Sequence, residues 1–182
     1  MPDHAAFLKG MNLGSRRLTN EELRGHFEAI GLVDVATFRA SGNVVFSSPK
    51  RRSERALVEL IERELAGLLG YPVATFVRTG EELRRVAAAE PFDESTRARL
   101  HGKPQVMLLG AKPAAPARRE ALALAGPDDA LAFDGRELHW LPAGGVSESA
   151  LDTNALARAL GEMTVRTIGT IEQIAGRWFP DA

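Results

Sequence analysis

Two glycine- and asparagine-bearing segments carry the residue types suited to holding an anion. The first is Lys9-Gly10-Met11-Asn12-Leu13-Gly14-Ser15-Arg16-Arg17 and the second is Ser41-Gly42-Asn43. Glycine and asparagine tolerate positive φ, so successive backbone N–H groups can turn toward one point and form an anion-binding concavity. Lys9 and Arg16 would add positive charge to it. The candidate ligand-binding residues are therefore Lys9, Gly10, Asn12, Gly14, Arg16, Ser41, Gly42 and Asn43. The ligand expected there is a small anionic or phosphate-bearing molecule. The competing account of each segment is structural, with glycines shaping a loop and Asn43 supplying left-handed geometry to a hairpin. The Gly-Lys-Ser/Thr ending of a P-loop is missing.

Other constellations are weaker. Ser47-Ser48-Pro49-Lys50-Arg51-Arg52-Ser53 leads into a helix and could hold a phosphate at its N-terminus, although such a run is more often a solvated loop. Pro142-Ala143-Gly144-Gly145-Val146-Ser147 is its glycine-rich counterpart in the second half. His4, His26, His101 and His139 are isolated from one another, with no HxH or HExxH spacing, so no metal site is assigned. No GxSxG elbow is present and no catalytic residue is nominated. Phe7 and Phe46 fall on strands where an RNA-recognition sheet stacks bases, but Val44-Val45-Phe46-Ser47 does not follow the RNP1 pattern. Core packing is the expected role of both rings.

The elements that must position these residues follow from periodicity. Ala5 to Met11 is a short apolar strand ending in a loop. Thr19 and Glu22 form a capping box, and Leu23, Phe27 and Ile30 follow on one helical face stopped by Gly31. Val33 to Arg39 and Val44 to Phe46 are strands around the Ser41-Gly42-Asn43 turn. Ser53 opens a helix whose apolar stripe runs to Leu68, ended by Gly70. Pro72 to Arg78 is a fourth strand, and a second capping box, Thr79 with Glu82, opens a short helix.

A polar stretch from Glu90 to Lys103 is long for a connection within a compact domain, and marks either a boundary or a functional loop. The element order then recurs. Gln105 to Leu109, Ala130 to Phe133, Glu137 to Leu141 and Met163 to Ile168 are the expected strands, with an Asp134-Gly135 hairpin. Pro116 to Ala125 and Ser149 to Leu160 are the expected helices, with a last helical turn over Thr170 to Ala175. The fold class is α+β, two successive ferredoxin-like βαββαβ units with mainly antiparallel sheets. The units occupy 1–89 and 104–182, joined by 90–103. In such a unit the loop leaving the first strand and the turn between the second and third lie at one sheet edge. That geometry would bring Lys9–Gly14 and Ser41–Asn43 together.

Composition bounds the rest. The chain has 182 residues, 45% hydrophobic and 26% charged, which is ordinary globular usage. It contains no cysteine, which excludes disulfides and thiolate chemistry. A net charge of −1 gives no global attraction to nucleic acid or anionic lipid. Neither a signal peptide nor a membrane-length apolar run is visible, so a cytoplasmic protein without a membrane partner is expected. A nucleic-acid or protein interaction module built on the sheet is the alternative function. Composition points to no cofactor or oligomeric state.

Phe7-Leu8-Lys9-Gly10-Met11-Asn12-Leu13-Gly14 and Ser41-Gly42-Asn43-Val44-Val45-Phe46 resemble the two signature segments of a bacterial domain-of-unknown-function family, number sixteen-ninety-seven. Supporting matches are Val77-Arg78-Thr79 with Glu82-Leu83, then Pro91-Phe92, and Thr164-Val165-Arg166-Thr167 with Thr170. The resemblance spans nearly the whole chain and implies the same fold, but it brings no activity with it. The chain departs from the family pattern at Lys9, where arginine is usual, and at Ser15, where glycine is usual. Ala150 stands where lysine is often found, and Thr167-Ile168-Gly169 replaces an Asn-Trp-Asn run.

Overall fold

The computed structural model describes residues 1–11, 17–40 and 42–180. Thr19 opens the first helix as the sequence requires. Its backbone N–H donates to Glu22 Oε2 (2.8 Å) and the Glu22 N–H donates to Thr19 Oγ1 (3.2 Å). Two exposed donors are thus satisfied at once. Ser53 caps the second helix through the Ala56 N–H, and Gly70 ends it at φ 79°. The elements of this half are β1 (His4–Leu8), α1 (Asn20–Ala29), β2 (Val33–Thr37), β3 (Asn43–Ser47), α2 (Glu54–Leu69) and β4 (Thr75–Thr79). The strands form an antiparallel sheet in the order β2-β3-β1-β4.

Helix α3 (Gly80–Ala88) follows β4, and α4 (Glu94–Arg99) lies within the connecting stretch. The second half contains β5 (Gln105–Leu109), α5 (Ala115–Leu122), β6 (Asp129–Asp134), β7 (Glu137–Pro142), α6 (Thr153–Leu160), β8 (Met163–Thr167) and α7 (Ile168–Trp178). Its sheet order is β6-β7-β5-β8. Both halves are therefore antiparallel four-stranded sheets of βαββαβ order, the two ferredoxin-like units expected.

One face of each sheet packs on its helices. In the first unit Ala6, Leu8, Val44, Phe46 and Val77 meet Leu23 and Phe27 of α1 and Leu57, Ile61 and Leu65 of α2. In the second, Met107, Leu109, Leu138 and Trp140 meet Ala121, Leu151 and Leu156. Fully burying a large apolar side chain contributes roughly 1.5–3 kcal/mol.

Several elements differ from expectation in their bounds, three of them in the second half. Helix α6 starts at Thr153, capped by Asp152 through the Ala155 N–H (2.8 Å), rather than at Ser149. The Ser149 hydroxyl is committed to Asp129 (2.8 Å) and accepts from the Leu151 N–H, so the chain cannot yet coil there. Helix α5 stops at Leu122, short of the expected Ala125. Strand β8 passes directly into α7 at Ile168, giving a helix longer than the expected turn. Thr167 Oγ1 accepts the Thr170 N–H (3.1 Å), and the buried Ile171, Ile174 and Ala175 supply the helical face.

Compact units fall at Met1–Arg85 with Gln173–Ala182, and at Val86–Glu172. The C-terminal residues thus group with the first sheet, where Phe179 lies against Gly80 and Trp178 packs edge-on to Phe38.

Pairing registers put the two sheets in correspondence. Ala5 lies opposite Val45 and Arg78, and Val106 lies opposite His139 and Arg166. Backbone bonds agree, since Leu8 N–H donates to Gly42 O as Leu109 N–H does to Arg136 O. Likewise Gly80 N–H donates to Asp3 O as Ile168 N–H does to Pro104 O. Arg78 and Arg166 each donate Nη1 to the preceding carbonyl at 2.8 Å. Val45 is therefore the positional twin of His139.

Candidate functional site

Strand β7 alternates along its length. Leu138 and Trp140 enter the core against α5 and α6, which turns Glu137, His139 and Leu141 to the other face of the sheet. A cavity of about 380 Å³ lies on that side, wholly within the second unit. It falls at the small end of the range for ligand pockets, about 300–1,000 Å³. Its floor holds His139, Leu141 and Gln105, and Ile168 and Glu172 of α7 stand at one side. Pro91, Phe92, Leu100, His101, Gly102 and Pro104 form the rest of its wall. The expected connecting loop is thus a strap that carries α4 and walls the cavity.

The strap is pinned by backbone bonds. His101 N–H donates to Ala143 O (3.3 Å) and Gly102 N–H to Pro142 O (2.9 Å). A Cβ on Gly102 would lie 2.3 Å from Gly144 O and 2.5 Å from Pro142 O. Only glycine lets the strap approach the end of β7 this closely.

His139 is the unusual polar group in the floor. It is 1% exposed, and its Nε2 has no hydrogen-bond partner among the described residues. Burial lowers its pKa below the ordinary histidine value, opposed by the nearby Asp134 carboxylate. The imidazole is therefore neutral at pH 7. Gln105 is held by its Nε2–H donating to Lys103 O (2.8 Å). At the rim Arg97 pairs with Glu90 (3.2 Å), while Glu172 has no ion pair among the described residues. On the same sheet face, burial brings Arg166 down to about 10, which leaves it charged at neutral pH. Its Nη1 donates to Thr164 Oγ1 (2.8 Å).

The lining offers imidazole, amide, guanidinium and carboxylate groups but no hydroxyl or thiol side chain. Such a set holds no serine- or cysteine-type nucleophile for acyl transfer, while its imidazole and carboxylate groups can bind a ligand reversibly or move a proton. Among the described residues no group of three or more His, Cys, Asp or Glu side chains could hold a metal ion. No helix among them is long and apolar enough to cross a membrane.

The anion site expected from sequence lies in the first unit. Asn12, Gly14, Arg16 and Ser41 fall outside the described residues. Of the others, Gly42 sits against the end of β1, with Leu8 N–H donating to its carbonyl at 2.8 Å. Gly10 and Gly42 hold φ 69° and 70°. Lys9 is exposed, and its backbone N–H is taken by Ala74 O. Asn43 is 1% exposed and its Nδ2–H donates to Phe38 O (3.1 Å), while Phe38 N–H donates to Asn43 O. That side chain closes the β2–β3 turn. Phe7 and Phe46 are fully buried, so neither ring is available to a base. The basic run near Lys50 folds on itself, with Ser48 Oγ donating to Lys50 O and Arg52 Nη1 donating to Ser48 Oγ.

His139, Gln105 and Glu172 were not signalled by motif or spacing. Glu137 and His139 at alternate strand positions resemble a solvent-facing pair in sequence, yet both are buried. The clearest sequence signal was indirect, because Pro91-Phe92 and Thr164–Thr170 had no role at the first-unit edge. Phe92 and Ile168 are walls of the cavity, the latter at the position where the resemblance expects tryptophan.

Fold and cavity together define a duplicated βαββαβ protein with a ligand-sized hollow in its second half. Residues 1–139 match the profile of the family described as "Protein of unknown function (DUF1697)", and the chain belongs to that family. The departures at Ala150 and Thr167 to Gly169 lie beyond the matched stretch. A solved structure of a conserved bacterial protein from Streptococcus pneumoniae superposes with a TM-score of 0.69. It is 19% identical and covers 97% of each chain, which shows a common fold. No curated protein matches the chain.

Proposed function

We propose that this chain is a small-molecule-binding protein whose ligand occupies the second-unit cavity and hydrogen-bonds His139. The observation that carries the reading is the partnerless Nε2 of a 1%-exposed histidine in the cavity floor. Burying a polar group without a partner costs roughly 1–3 kcal/mol. The twin position in the first sheet is Val45, so the fold does not require a polar group there. A ligand that reaches the imidazole after a small shift of the lining accounts for the difference, because the nitrogen is closed to water as the chain stands.

The test is a fragment screen read by NMR, with His139 ring resonances followed in the wild type and binding repeated in His139→Val. Fragments should shift the imidazole and lose measurable affinity in the variant. Hits whose affinity is unchanged by His139→Val would move the ligand away from this cavity.

A second reading keeps a small anionic ligand at Lys9, Gly10 and Gly42 in the first unit. It is favoured by Arg39, which holds φ 58° in the β2–β3 turn with Nη2–H donating to Gln173 Oε1 (3.0 Å). Strained backbone of this kind is concentrated at functional sites. Phosphate titration against Lys9→Ala separates the two readings, whereas Asn43→Ala would open the turn itself. A cytoplasmic, bacterial setting belongs to the same proposal. It is supported by the cysteine-free composition and the streptococcal neighbour.

A further inference from the structure

Resting on the cavity reading above, we infer that the ligand carries a cationic nitrogen next to an apolar body, with the cation held by Glu172. The lining makes the case group by group. Phe92, Leu100, Leu141 and Ile168 supply apolar walls, which exclude a ligand that is polar on every side. Glu90 and Arg97 neutralise one another at 3.2 Å. His139 adds no charge near neutral pH, because burial disfavours its protonated form. Glu172 is left as the uncompensated charge of the lining, a carboxylate without an ion pair among the described residues. A ligand anion entering here would meet that carboxylate with no lysine or arginine of the lining free to offset it. An ammonium or guanidinium group completes the charge balance, while a donor or acceptor on the ligand reaches His139.

Three probes with one aromatic body separate the possibilities: 2-phenylethylammonium, 2-phenylethanol and phenylacetate. Affinities are measured by NMR titration at about pH 8, above the ordinary histidine range. Because Glu172 is exposed, the ammonium should bind only about fivefold tighter than the alcohol, the upper end for a solvent-screened pair. Phenylacetate should bind weakest. Glu172→Gln should erase the ammonium preference and leave the alcohol unchanged. Added salt should narrow the same gap. Phenylacetate binding as tightly as the ammonium, or a preference that persists in Glu172→Gln, overturns the cationic assignment while leaving the cavity intact.

Failure of the cavity itself is recognised separately with Ile168→Trp, which fills one wall. If all three probes bind that variant as they bind the wild type, or if none binds the wild type, the cavity reading fails and the ligand class fails with it.

Discussion

A neutral imidazole sealed in a sheet face with an unsatisfied nitrogen is a local cost, and that cost can be measured. His139→Val copies the solution the first sheet uses at Val45. Removing the unsatisfied nitrogen should raise the unfolding free energy by about 1 kcal/mol. Urea denaturation near neutral pH checks this, and a loss of similar size would mean the imidazole is satisfied after all. The same residue sets a pH dependence. Its folded-state pKa lies below the ordinary value of about 6.5, so on acidification the unfolded chain takes up the proton first. Stability from this group is fully present above about pH 6.5 and declines as the pH falls toward the depressed folded value. His139→Val should flatten that limb of the stability–pH curve. An equally steep decline in the variant would assign the limb to other groups.

Elements fix where the cavity can exist, and the strap over it depends on Gly102. An alanine Cβ there meets two backbone carbonyl oxygens, Gly144 O at 2.3 Å and Pro142 O at 2.5 Å, and backbone cannot swing aside as a side-chain tip can. Gly102→Ala should destabilise by about 1–3 kcal/mol and weaken probe binding, because the strap must lift from β7. Parallel denaturation and NMR titration check both effects, and full retention of affinity would separate the strap from the cavity. Much of the element layout was legible beforehand, because capping boxes and period-3.6 stripes are local signals. Thr19 with Glu22 and Ser53 before Leu57 each placed a helix start correctly. Ser149 misled because its hydroxyl is spent on Asp129, a residue brought near only by the folded sheet. The cavity was illegible for the same reason. No local pattern marks that a strap from 90–103 will line a cavity together with His139, whereas the Gly42 approach to Leu8 follows from topology alone.

At the scale of the whole chain, its final residues complete its first unit. Helix α7 gives its opening turn to the second unit, and residues from Gln173 onward group with Met1–Arg85. Phe179 is 5% exposed and its ring sits against Gly80, where an added Cβ would lie 2.5 Å from Cδ1. Its carbonyl accepts Arg84 Nη1–H (3.3 Å), and Trp178 meets Phe38 with ring centroids 5.8 Å apart. Contacts between residues at opposite ends of a chain incur a large loop-closure entropy, so they form late in folding. Phe179→Ala removes a buried ring at that closure and should cost about 3–5 kcal/mol. The loss should appear first in the first unit. Amide hydrogen exchange should speed up at Gly80, whose N–H donates to Asp3 O, more than at Ile168, whose N–H donates to Pro104 O in the second unit. Equal acceleration at both amides would mean that the chain opens as one cooperative block. Unchanged exchange at Gly80 would mean that the C-terminal segment adds no stability to the sheet it packs on.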